Sequence, residues 1–132
     1  MLELKHVSKI YNPGLVTEMC LFDDFNLTVK DGEFVSVIGS NGSGKTSMLN
    51  IICGSIPVNG GEVLINGKSI NRQKDFERYS HIGRVYQNPA MGNCPNMTIL
   101  ENMSLADNKG KPFGLSFALN KKRFDNYRAQ LA

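Results

Sequence analysis

The chain has 132 residues and a mass of 14.6 kDa, with 41% hydrophobic and 20% charged residues. This balance excludes a disordered chain and is typical of a folded globular domain. No run of about 18 apolar residues occurs, and no secretory leader is expected at the start, so the composition predicts neither a membrane span nor export. Three cysteines (Cys20, Cys53 and Cys94) form no C-x-x-C pair, which favours reduced thiols in the cytoplasm.

The net charge of +3 is unevenly distributed. Residues 109–132 hold six lysines and arginines against Asp125 alone. Such a stretch can bind nucleic acid or anionic lipid, but its bases are mixed with Phe, Leu and Asn, which is more typical of a solvated helix face. Nucleic-acid binding through this stretch is therefore the less favoured function, and no nucleic-acid partner is expected.

The first forty residues predict three strands. The first contains Leu2, Leu4 and Val7, with Val7 out of phase with the other two. The second alternates apolar and polar residues over 22–29 and is followed by an Asp-Gly turn. The third covers 34–38, a short run of β-branched and aromatic residues that is typical of a buried strand.

The middle of the chain predicts a helix between two strands. The helix covers 46–53 and is stopped by Gly54. A strand over 62–65 leads into an Asn-Gly turn, which is a hairpin signal. Another strand is predicted over 82–86.

The last third predicts a loop followed by two helices. Residues 89–97 contain two prolines, one glycine and two asparagines, so a loop is expected there. Thr98 and Glu101 have the spacing of a capping box, which predicts that a helix begins at this point. A final helix is predicted from an apolar face at i, i+3 and i+7: Phe124, Tyr127 and Leu131.

One segment matches the phosphate-binding pattern G-x-x-x-x-G-K-[ST] in full: Gly39, Ser40, Asn41, Gly42, Ser43, Gly44, Lys45 and Thr46. Glycines allow a tight turn in which successive backbone N–H groups point at phosphate oxygens, and the following helix adds its positive end. Lys45 can reach the β- and γ-phosphates, and the Thr46 hydroxyl is available to Mg²⁺. Nucleotide binding is therefore predicted.

Several families share this loop, and other residues distinguish among them. A Ras-like GTPase needs an Asn-Lys-x-Asp guanine reader, and both Asn-Lys pairs, at 108–109 and 120–121, lack the aspartate. A small-molecule kinase would usually show several phosphate-facing arginines, and only five arginines occur. Neither class is favoured.

An ordered set of segments resembles the amino-terminal part of the nucleotide-binding domain of an ATP-binding cassette (ABC) transporter, with importer-type cassettes the nearest. The opening strand over 2–9 and the turn over 31–35 are similar to those of the family. The same holds for the hairpin over 60–67, the Q-loop over 85–89 and the entry to the helical subdomain over 97–102.

The resemblance implies an α/β fold, with a P-loop NTPase core and an N-terminal antiparallel β subdomain. Residues 1–132 would form a partial nucleotide-binding domain, with the ATP-binding core and β subdomain in 1–90 and the start of the helical subdomain in 91–132. The family's signature motif, Walker B and switch histidine are missing, and residues 114–117 do not replace the signature. We therefore expect a chain truncated before these motifs, with an exposed sheet edge that favours marginal stability or self-association.

The resemblance also implies the site residues and the cofactors ATP and Mg²⁺. The phosphate-binding residues would be those of the loop together with Ser47. Tyr11 would stack on the adenine, unless it is a core tyrosine. Gln87 would be the catalytic residue that helps hold Mg²⁺ and the attacking water, unless it is only a polar residue at a strand end. Thr46 would be the other Mg²⁺ ligand.

The implied partners are a transmembrane permease subunit and a second nucleotide-binding domain. They would place the chain in the cytoplasm, peripheral on the inner face of the membrane. The parent ATPase would couple hydrolysis to transport, whereas this chain alone would bind ATP without turnover. The alternative is a non-enzymatic nucleotide-binding module, so whether the chain is an enzyme stays open.

Overall fold

The computed structural model describes residues 1–109, 111 and 121–131. It divides into two compact units, Met1–Arg78 and Tyr79–Ala132. Residues 114–117 lie outside the described residues, as does most of the basic stretch between 109 and the last helix. Among the described residues, no helix has the length and hydropathy needed to cross a membrane.

The first unit is built on an antiparallel sheet of four strands in the order β2-β1-β3-β4. The strands are β1 (Leu2–Tyr11), β2 (Met19–Val29), β3 (Gly60–Ile65) and β4 (Lys68–Ser69). The Asn-Gly turn joins β3 to β4 as predicted, with φ of 50° at Asn66 and 75° at Gly67. The antiparallel β subdomain expected from the sequence is confirmed.

A bulge in β1 explains why Val7 is out of phase with Leu4. The register against β2 shifts between Leu4 and Val7, and the register against β3 shifts between Lys5 and Ser8. His6 has a φ of 51° at this point, so the strand gains one residue and its side-chain alternation resets. Leu4 and Val7 are therefore both buried.

The first unit also contains two helices, α1 (Lys45–Cys53) and α2 (Asp75–Arg78). Helix α1 ends at Gly54 as predicted, and this glycine has a φ of 87°. The helix buries Met48, Ile51, Ile52 and Cys53, and the strands bury Leu4, Val7, Val63 and Leu64.

Two predicted strands are absent from the described structure, and both predictions were wrong. Residues 34–38 form no strand, with Phe34 94% and Ile38 91% exposed. Residues 82–86 form no strand either, and Val85 is 97% exposed. A strand forms when its N–H and C=O groups pair with a neighbour, and neither segment pairs with a strand among the described residues. Apolar composition alone therefore did not produce a strand.

The second unit contains a short 3-10 turn at Pro89–Met91 and two helices, α3 (Ile99–Asp107) and α4 (Lys121–Leu131). The capping box is confirmed, since Thr98 N donates to Glu101 Oε2 at 2.8 Å and Glu101 N donates to Thr98 Oγ1 at 3.3 Å. The Thr98 hydroxyl also donates to Glu101 Oε2 at 2.7 Å, and this bond, together with the one from Thr98 N, lowers the pKa of Glu101 below its usual value.

Helix α4 forms as predicted, but its apolar face is only partly buried. Tyr127 is buried and its hydroxyl donates to Asp107 Oδ2 at 3.1 Å, whereas Leu131 is exposed. Burial, together with this hydrogen bond to the carboxylate, raises the pKa of Tyr127.

Candidate functional site

The segment 39–44 turns tightly ahead of α1. Ser43 N donates to Ser40 O at 3.3 Å, which closes the turn, and Gly42 has a φ of 83°. A side chain at Gly39 would collide with Ser43, whose Oγ lies 2.6 Å from the position of a Cβ atom there. These glycines therefore provide both the backbone conformation and the space that the turn requires.

The helix after the turn begins without a side-chain cap. Gly44 is the N-cap with a φ of 91°, and the first helical hydrogen bond runs from Met48 N to Gly44 O at 2.8 Å. The N–H groups of Lys45, Thr46 and Ser47 thus precede the first intrahelical bond, and the first turn contains no acidic side chain. An uncapped helix start of this kind attracts an anion.

The Lys45 side chain folds back over the loop. Its Nζ donates to Gly39 O at 2.7 Å and to Ser40 O at 2.6 Å, with Ser43 Oγ at 3.4 Å. The loop is therefore curled around an ammonium group and is not extended. A phosphate entering the loop would meet this ammonium and the uncapped N–H groups together.

A bulge in β2 brings two adjacent side chains into contact with the loop. Lys9 pairs with Phe22 and the next residue, Ile10, pairs with Cys20, so Leu21 is an extra residue in β2. Leu21 Cδ1 and Phe22 Cζ both lie 3.2 Å from the position that a Cβ atom would take at Gly44. In a regular strand, adjacent side chains point to opposite faces, so the bulge lets both side chains reach the loop.

Tyr11 lies at the end of β1, in the same hairpin that touches the loop. It is half-buried and pairs with Met19. The Lys9 ammonium lies 5.1 Å from the centre of the Tyr11 ring. The predicted adenine-stacking residue and the predicted phosphate loop therefore belong to the same unit. The hairpin that contains Tyr11 contacts the loop where Phe22 meets Gly44.

Gln87 belongs to the second unit. It is exposed and precedes Asn88, whose side chain caps the 3-10 turn by accepting from Ala90 N at 3.0 Å. Thr46, the other predicted Mg²⁺ ligand, is exposed in the first turn of α1. The roles of Gln87 and Thr46 stay predictions.

Sequence reasoning missed one residue that supports the loop helix from its other end. Arg78 is 5% exposed, and its Nη1 donates to Ile51 O at 2.9 Å and to Ile52 O at 3.1 Å, the last carbonyls of α1. Burial lowers its pKa. A lone arginine after a short acidic segment gives no periodic signal, so only the folded chain shows this contact.

Comparisons with known proteins agree with this geometry. The family model described as ABC transporter matches residues 22–132. A tyrosine transport ATP-binding protein from Clostridioides difficile is 40% identical over 122 residues, which is 92% of this chain and 49% of that protein. A spermidine/putrescine import ATP-binding protein from Mannheimia succiniciproducens is 35% identical, covering 79% of this chain and 26% of its own length.

Solved structures give the same result. The dimeric bacterial ABC transporter cassette MJ0796 matches with a TM-score of 0.78 and 33% identity, covering 99% of this chain and 56% of that one. The same cassette was also solved in a post-hydrolysis state bound to ADP and Pi. The chain thus spans about half the length of the first relatives it matches, or less. With a family match over most of its residues, the chain belongs to the ABC transporter family.

Proposed function

We propose that the chain binds ATP·Mg²⁺ through residues 39–47 and is the ATP-binding part of an ABC transporter cassette. The observation that supports this most is the loop curled around Lys45 at the uncapped start of α1. The backbone N–H groups from Gly39 to Ser47 would hold the phosphates, and Lys45 would exchange its carbonyl acceptors for phosphate oxygens.

The residues present also fit a magnesium ion. Mg²⁺ keeps several waters and takes one or two protein ligands besides the phosphates, so a single exposed hydroxyl at the loop is a suitable ligand. We assign this role to Thr46 and the second position to Gln87, which would also orient the attacking water. The bound ion would neutralise the phosphate charge.

The assignment of Tyr11 to the adenine rests on the shared hairpin. The base would stack on the Tyr11 ring, with little discrimination among bases. We further assign residues 1–90 to the ATP-binding core and β subdomain, and residues 91–132 to the start of the helical subdomain.

Two relatives are named for transport of tyrosine and import of spermidine or putrescine, and a structural neighbour is dimeric. We therefore propose a permease subunit and a second cassette as partners, on the cytoplasmic face of a membrane. Coupling of hydrolysis to transport belongs to that assembly. For this chain alone we expect ATP binding without phosphate release.

The test is the substitution Lys45→Ala, measured by titration calorimetry with ATP·Mg²⁺. Removing the ammonium deletes its charge-assisted hydrogen bonds, so affinity should fall by about 10- to 100-fold. Lys68→Ala, at an exposed lysine of β4, is the matched control and should leave the affinity unchanged. Equal ATP affinities for the wild type and Lys45→Ala would overturn the proposed function.

A further inference from the structure

We propose that Lys9 is a positioning residue for base recognition: its ammonium occupies one face of the Tyr11 ring, so that the base stacks on the other. This inference rests on the proposed nucleotide site. It adds a residue that contacts neither the phosphates nor the base.

The burial of Lys9 is unusual for a lysine. The residue is 9% exposed, whereas lysines almost always lie at the surface unless they are paired. None of the ion pairs between the described residues involves Lys9. Lys9 Nζ lies over the Tyr11 ring, 5.1 Å from its centre, within the range of a cation–π contact.

The strand geometry brings this pair to the loop. Lys9 and Tyr11 are two residues apart on β1, and Lys9 pairs directly with Phe22. The Phe22 ring in turn lies against Gly44, the N-cap of α1. Lys9 is thus linked to the phosphate loop through Phe22, which pairs with Lys9 and contacts Gly44.

An ammonium on one face of an aromatic ring changes what the other face can bind. Both faces of a free tyrosine ring are electron-rich, and so are the faces of a base, which weakens direct stacking. A cation on the far face draws electron density away and fixes the ring plane. The remaining face of Tyr11 is then better suited to stack on a base.

The experiment compares the binding of ATP and of inorganic tripolyphosphate to Lys9→Met, which keeps the length of the side chain but removes its charge. We expect ATP affinity to fall by about 2- to 5-fold, and tripolyphosphate affinity to be unchanged. Lys9→Arg should restore ATP binding because it keeps a cation over the ring. Lys5→Met, at an exposed lysine of the same strand, is the control and should change neither affinity.

A double-mutant cycle makes the test specific. Tyr11→Leu should lower ATP affinity by about 5- to 100-fold, and adding Lys9→Met to it should have no further effect. Equal losses for ATP and tripolyphosphate in Lys9→Met would show that Lys9 acts on phosphate and would overturn the inference, as would no loss at all. If the wild type bound neither ligand, the proposed function itself would fail. Retained tripolyphosphate binding shows that each variant is folded.

Discussion

Residues 60–65 and residues 34–38 are both predicted from the sequence to contain a strand, yet only the first segment is one. As β3, residues 60–65 pair with β1 on one side and β4 on the other, and Val63 is buried. Residues 34–38 contain an equally β-prone run, but they stay unpaired and expose Phe34 and Ile38. The difference shows that a strand depends on its neighbour as much as on its own composition.

The availability of partner strands explains why only residues 60–65 form a strand. Each strand of the antiparallel sheet has its partners within the first unit: β1–β2 and β3–β4 are joined by short connections, and β3 pairs with β1 from farther along the chain. A strand that precedes a phosphate loop is typically part of a parallel sheet, whose partners follow only after long crossover connections. The following predictions test this contrast between the paired sheet and the unpaired segment.

The largest effect is expected in the paired sheet. Leu4→Ala removes a fully buried side chain of β1 and should lower the free energy of unfolding by about 2–5 kcal/mol. Phe34→Ser, in the unpaired segment, should change it by less than about 0.5 kcal/mol. Urea titration followed by circular dichroism measures both. Comparable losses would mean that Phe34 is packed in solution and that the contrast is wrong.

The bulge at His6 provides the next test. A methyl group at Gly61 would collide with the backbone carbonyl groups of His6 and Lys5, and the φ of 80° at Gly61 adds strain. Gly61→Ala should therefore cost about 2–4 kcal/mol. Gly67→Ala has a similar φ of 75° but meets nothing within 4 Å, so about 1 kcal/mol is expected from thermal unfolding. Equal costs would show that the crowding at His6 has no effect.

The helix that carries the loop should depend on Arg78. Arg78→Ala leaves the last carbonyls of α1 without their guanidinium donor, which should lower the free energy of unfolding by about 1–3 kcal/mol. Arg72→Ala, at an exposed arginine nearby, is the control and should be almost neutral. If the two substitutions had equal effects on urea unfolding, the cap would contribute nothing.

The smallest effect is a pH dependence in the second unit. Hydrogen bonds from Thr98 lower the pKa of Glu101 in the folded chain. The stabilising effect of its carboxylate is therefore complete above the unfolded pKa of 4.5 and is lost as pH falls through the folded pKa. Glu101→Gln should therefore be less stable than the wild type at pH 7, and the gap should close in acid. Melting temperatures at pH 7 and pH 3 measure it. A gap that stays constant with pH would contradict the capping role.

Local signals explain which elements could be predicted. The capping box at Thr98, the stop at Gly54 and the Asn-Gly turn each act within a few residues, and all three formed. The phosphate loop was predicted for the same reason, because its glycines and Lys45 interact over only seven positions. The burial of Arg78 and Lys9 could not be predicted from a local pattern, because it depends on the tertiary fold.

The sequence alone determined the turn over 39–44, the family and the other local turns, because a few adjacent residues and their backbone preferences are enough to specify them. Only the tertiary structure decided which apolar runs became strands, where the bulges at His6 and Leu21 fall, and which charged side chains are buried. Strand pairing and burial depend on groups that are distant in the chain, and no local sequence pattern predicts which of these groups will be in contact.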